Sequence, residues 1–277
     1  MSGRHVVVGV DGSIISTRAQ DVAAAEAVRR SVALAIVYAV PDLDVAGPVL
    51  AASAARSRAR HPGLVVRLSA VASEPAAALV ARGAHAALTV VGTRALGGFA
   101  SLASRSVAHQ VAELSHRPLL IVGPGHLTLH AETGEVLLAV ERDTDTEAAG
   151  FAFEESVRRG ARLRFLHTAH YRPRVAGAGP GGGVAAVAAG GDHRGPAHQR
   201  QQQQQRRQHQ RQDEANSPVS DRDLISATAG ADVVIIAYRR HGVPGHPRHT
   251  PTVHALLHHA HCPVLLIPTG PPNTPLP

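Results

Sequence analysis

The chain has 277 residues, 44% of them apolar but only 3% aromatic and none tryptophan, so a core must be built from Ala, Val, Leu and Ile. Its length suits two ordinary domains. The net charge of +7 is carried by arginine alone, without a basic face interleaved with aromatics, which argues against a dedicated nucleic-acid binder. There is no apolar run of about 18 residues and no secretory-type N-terminus, and the single Cys262 cannot form an internal disulfide. A cytoplasmic protein without a membrane segment is expected.

The first apolar run, over 5–10, has strand length and ends in Asp11, Gly12 and Ser13. Ser13 or Ser16 can cap a helix over about 17–30. A second strand follows over 34–40, then an alanine-rich helix over about 49–60 and a third strand over 64–71. Ser73 is placed to cap a helix over 75–84. A strand over 87–91 enters a glycine-bearing loop, which leads to a helix over about 104–114 and a last strand over 119–122. Strands alternating with helices predict a parallel sheet covered on both faces.

After a linker-like stretch the pattern restarts. EVLLAVERD echoes RHVVVGVDG, FAFEESVRRGARLRFLH echoes the first helix and second strand, ADVVIIAYR echoes AALTVVGTR, and CPVLLIP echoes RPLLIVG. The repeat predicts domains over 1–125 and 135–270, a linker over 126–134 and a tail over 271–277. The second copy carries extra chain over 172–218, rich in Gly, Gln, Arg and His and offering little to bury. No counterpart of the strand over 64–71 is visible there, so the second sheet should lack an edge strand.

RHVVVGVDGS, VVGTRALGGF and RPLLIVG, with their echoes in the second half, make the chain resemble the universal stress protein family in its tandem form. The resemblance implies two α/β domains of the Rossmann-like kind, each with a five-stranded parallel sheet, paired through their last strands at 119–122 and 265–267. It also implies an ATP or ADP site in the first domain. Gly9, Val10, Asp11, Leu34 and Val91 would take the adenosine side, and a loop of pattern G-x2-G-x9-G-(S/T) would take the phosphates. Gly92 matches the first loop glycine, Ala95 and Arg105 replace the other two, and Ser106 keeps the hydroxyl, with Val107 after it. Gly97 and Gly98 match the centre of the loop. In the second half Glu141 stands for Asp11 and Ala237 for Gly92, and Pro244, Pro247 and Pro251 remove N–H donors from the loop, so no nucleotide is expected there.

Each motif has a structural alternative. Asp11 can serve as a turn residue ahead of a helix, and the loop can merely join a strand to a helix. His254, His258, His259, His261 and Cys262 crowd a helix end and have the residue types of a zinc site, but cationic side chains are ordinary at a helix C-terminus, and no metal is expected. No nucleophile stands with a base and an orienting partner, so a non-enzyme is expected. Two readings follow: a nucleotide-binding stress-response module, or a nucleotide-free scaffold for a protein partner or a second copy.

Overall fold

The computed structural model describes residues 5–93, 106–124, 133–142, 145–172, 218–239 and 250–269. The first half runs β1 (His5–Gly9), α1 (Ile14–Arg29), β2 (Ala33–Ala39), α2 (Ala46–Arg60), β3 (Val66–Val71), α3 (Pro75–Gly83), β4 (Leu88–Gly92), α4 (Val107–Leu114) and β5 (Leu119–Val122). The second half runs β6 (Glu135–Arg142), α5 (Thr146–Arg159), β7 (Arg162–Arg172), α6 (Asp221–Ala227), β8 (Val233–Arg239), α7 (Pro251–His259) and β9 (Val264–Thr269). The glycine loop over 94–105 and the stretch over 173–217 lie outside the described residues.

All nine strands join one sheet in the order β3-β2-β1-β4-β5-β9-β8-β6-β7. Pairing is parallel within each half, as βαβ crossovers require. The halves meet where β5 and β9 run antiparallel, with Leu119 opposite Leu266 and Ile121 opposite Val264. The expected pairing of the last strands is therefore observed, and it fuses two sheets into one.

Because both faces of the sheet are covered, the central strands are apolar at successive positions rather than alternate ones. Val6 and Val8 pack beneath α1, α2 and α5 on one face, whereas Val7 packs beneath α3 and α4 on the other. The second core continues under α6 and α7 through Leu224 and Leu256. Alanines at 19, 23 and 27 let α1 sit close to the strands.

The second half differs from the first at its edge among the described residues. Among the described residues, the outer side of β7 carries a single bridge, Thr168 to Val219, in which Val219 N–H donates to the His167 carbonyl. Ile36 of β2 is fully buried, yet Phe165 at the matching point of β7 is 53% exposed. Its chain has no described partner of the kind α2 and β3 provide for Ile36.

Several boundaries shift for local reasons. Ser13, not Ser16, is the cap of α1: its Oγ accepts from Ser16 N–H at 3.1 Å, so the helix starts at Ile14. Ser73 does not cap α3. Glu74 holds that position without a side-chain bond, and Pro75 begins the helix with no N–H to satisfy. The helix expected from about 104 begins at Val107, because Ser106 is extended and caps it.

Candidate nucleotide site

The C-terminal ends of β1, β2 and β4 and the N-terminal ends of α1 and α4 surround a cavity of about 410 Å3. Ligands of α/β sheets occupy such positions because strands diverge there and helix N-termini aim their N–H groups inward. Gly9, Val10, Asp11, Val91, Gly92, Ser106 and Val107 all line it, so the structure brings together seven residues that the sequence marks. Gly97 and Gly98 lie outside the described residues, as do Ala95 and Arg105.

Leu34 is not part of the cavity. It stands near the start of β2, paired with Val6 and fully buried beneath the helices of the opposite face. The cavity instead takes Val37 and Ala39 from the other end of that strand, roughly 10 Å further along at the rise of an extended chain. An apolar run shows which residues form a strand but not which end faces a ligand.

The turn after β1 is tightly bonded. Asp11 Oδ1 accepts from Ser13 N–H at 2.9 Å, and Asp11 N–H donates to Ser16 Oγ at 3.2 Å. Gly12 has φ +79°, a backbone region that other residues rarely adopt. The Asp11 side chain is exposed at the cavity mouth while it organises this turn. Ser106 has a comparable double position: it lines the cavity, and its Oγ accepts from His109 N–H at 3.2 Å to cap α4.

Gly92 owes its place to packing as well as to the loop. A Cβ there would lie 2.8 Å from Ile15 Cγ2 and 3.0 Å from the Ile15 carbonyl oxygen. The absent side chain lets the first turn of α1 close over the end of β4. Thr93 N–H then donates to the Val122 carbonyl at 2.9 Å, which holds the chain against β5 as it enters the loop.

The second half lacks this arrangement. Glu141, in the place of Asp11, is buried, and Ala237 replaces Gly92. Tyr238 occupies the place of the small Thr93, with its side chain buried in the second core. The loop over 240–249, with Pro244 and Pro247, lies outside the described residues, whereas Pro251 begins α7.

The histidines of α7 stand apart from the cavity. The His254 and His258 rings lie 4.4 Å apart, and His258 is held below its ordinary pKa by burial first and then by His254 and His259. Burial pushes the Cys262 thiol up to about 12. Among the described residues no three metal-ligating side chains come together.

The strongest charge cluster was not singled out from the sequence. Glu26 and Arg30 at the end of α1 repeat as Glu155 and Arg159 at the end of α5, and the four side chains interlock between the halves. Arg30 bonds its own Glu26 and also Glu155, the latter at 2.7 Å; Arg159 bonds its own Glu155 and also Glu26. Burial would raise the Glu26 pKa, but the charges of Arg159, Arg30 and Arg29 outweigh it and hold the carboxyl below its ordinary value. The signal was the shared E-x2-RR of EAVRR and ESVRR, visible as part of the repeat.

A family model described as the universal stress protein family matches residues 3–123 and again 133–268. The universal stress protein Rv2623 of Mycobacterium tuberculosis is 37% identical over 130 residues, which cover 42% of this chain and 44% of that protein. The match thus spans less than half of the relative's length. A universal stress protein from Archaeoglobus fulgidus has a crystal structure that superposes with a TM-score of 0.65 at 14% identity, covering 96% of each chain. A universal stress protein crystallised with cAMP is 30% identical over 43% of this chain, with a TM-score of 0.37. No helix among the described residues is long and apolar enough to cross a membrane.

Proposed function

From the premise that this chain belongs to the universal stress protein family, matched in both of its halves, we propose that it is a tandem stress-response module whose first domain binds an adenine nucleotide. The domains in this reading are residues 1–125 and 135–270, joined by 126–134 and working in the cytoplasm. The observation that carries the reading is the 410 Å3 cavity, which gathers Asp11, Gly92 and Ser106 between two helix N-termini.

The chemistry suits ATP or ADP. Val10, Val37, Leu79 and Val91 supply apolar surface for a base, and the Asp11 carboxylate can accept from a ribose hydroxyl. The positive ends of α1 and α4 favour phosphate oxygens. The described lining sets the Asp11 carboxylate and the hydroxyls of Ser13, Ser16, Thr93 and Ser106 without a histidine or cysteine beside them, and in this reading the module reports occupancy rather than performing catalysis. In the second domain, buried Glu141 and Tyr238 leave the counterpart position without a nucleotide.

Titration calorimetry of the full chain with ATP and Mg2+ tests this. Saturable binding that weakens at least tenfold in Asp11→Ala supports it; no heat up to millimolar nucleotide overturns it. A second reading has its own observation: Asp11 and Ser106 already serve as a turn residue and a helix cap. These roles suffice for a nucleotide-free scaffold that binds a protein partner or a second copy. Nucleotide released from the purified protein by acid would count against that scaffold.

A further inference from the structure

A second cavity, of about 400 Å3, lies at the junction of the halves. Arg30, Arg117 and Arg158 line it together with one carboxylate, Glu154, beside an apolar wall that includes Val32, Pro118 and Phe151. Pro118 directly precedes β5, so the cleft sits at the N-terminal strand ends, away from the first cavity at the C-terminal ends.

The charges around this cleft do not balance. Glu26 and Glu155 are buried at 1% and 0% exposure, and four arginines, Arg29, Arg30, Arg158 and Arg159, converge on these two carboxylates. Arg117 adds another cation at the lining, where its Nε donates to the Ala86 carbonyl at 3.2 Å. Glu154 reaches Arg158 only at 3.8 Å, with a side chain 69% exposed and therefore screened by water. Positive charge that is partly withdrawn from water calls for a counter-charge, and guanidinium groups present paired N–H donors suited to tetrahedral oxyanions.

We propose that this junction cleft binds a small oxyanion, either free phosphate or a phosphoryl group on a larger molecule, held by Arg117 and Arg158 beside Phe151. The repeat supplies an internal comparison. The counterparts of Arg117 and Ala87 are Cys262 and Asp232, so the related position has a buried thiol in place of the cation. Asp232 there accepts from Thr133 and Gly134 N–H groups. One side of the junction is therefore suited to an anion and the other is not.

The test is calorimetric melting of the full chain in inorganic phosphate, in phenyl phosphate, and in sodium chloride matched for ionic strength. Phosphate or phenyl phosphate should raise Tm above the chloride value. Arg117→Lys, which keeps the charge but not the paired N–H donors, should keep only part of the rise; Arg117→Gln should lose it, with apparent anion affinity falling about tenfold. A rise with inorganic phosphate alone identifies a free oxyanion, and a larger rise with phenyl phosphate identifies an ester resting on Phe151. An equal rise in Arg117→Gln would place the anion elsewhere and overturn the proposal, as would melting in either phosphate indistinguishable from chloride.

Discussion

Arg30 Nη2 donates to Glu155 Oε2 at 2.7 Å, tying the end of α1 in the first half to α5 in the second. Arg159 returns the contact to Glu26, so the junction is held by a reciprocal pair of ion bridges beneath the β5–β9 seam. Removing one carboxylate leaves guanidinium groups buried without their anion. Glu155→Ala should cost about 3 to 5 kcal/mol in denaturant unfolding. In a double-mutant cycle, Arg30→Ala and Glu155→Ala should show a coupling of about 1 kcal/mol or more, far from additive. Additive losses would mean that the bridge contributes nothing of its own.

Acid should loosen the same junction. Glu26 holds its proton less tightly when folded than when unfolded, because the surrounding arginines outweigh the effect of burial. Its contribution is fully present above the unfolded value of about 4.3 and is lost as pH falls through the lower folded value. Wild-type stability should therefore decline more steeply below about pH 4.3 than that of Glu26→Gln, which starts weaker at neutral pH. Parallel curves for the two proteins would remove Glu26 as a source of acid sensitivity.

Gly92→Ala isolates the packing role of the loop's first glycine. The new Cβ would press on the Ile15 carbonyl at 3.0 Å, and backbone at the start of a capped helix cannot move aside as a side-chain tip can. A loss of about 1 to 3 kcal/mol is expected from the overpacking. Gly9→Ala should cost less, since its nearest obstruction is the flexible end of Leu79 at 2.9 Å. Thermal unfolding of the two variants checks the order; a Gly9→Ala loss as large as that of Gly92→Ala would contradict it.

The strands and their repeat were legible because a sheet buried on both faces needs uninterrupted apolar runs, which the sequence shows from Val6 to Val8 and from Leu119 to Val122. The meeting of the last strands was legible only through the family resemblance, since nothing in LLIV itself names its neighbour. Leu34 was misplaced because a strand's composition does not distinguish its ends. The Glu26, Arg30, Glu155 and Arg159 cluster stayed hidden for a related reason: each charge looks like an ordinary helix-end residue until the two halves are brought face to face. Phe165 was part of a recognised echo, but its exposure depends on what stands beyond β7.

Asp11 and Ser106 together separate the ligand role of the first cavity from its structural one. Ser106 caps α4 through His109 N–H, so Ser106→Ala should lower stability by about 1 kcal/mol whether or not a nucleotide binds. Asp11 accepts from Ser13 N–H in a turn, and Asp11→Asn keeps an acceptor oxygen for that bond while removing the charge. If the carboxylate holds a ribose hydroxyl, Asp11→Asn should melt within about 1 °C of wild type without ligand yet bind ATP about tenfold more weakly, the loss expected of one charge-assisted bond. Melting curves with and without Mg-ATP read both quantities from one sample. Equal ATP-induced shifts in wild type and Asp11→Asn would show that the charge of Asp11 serves the turn alone.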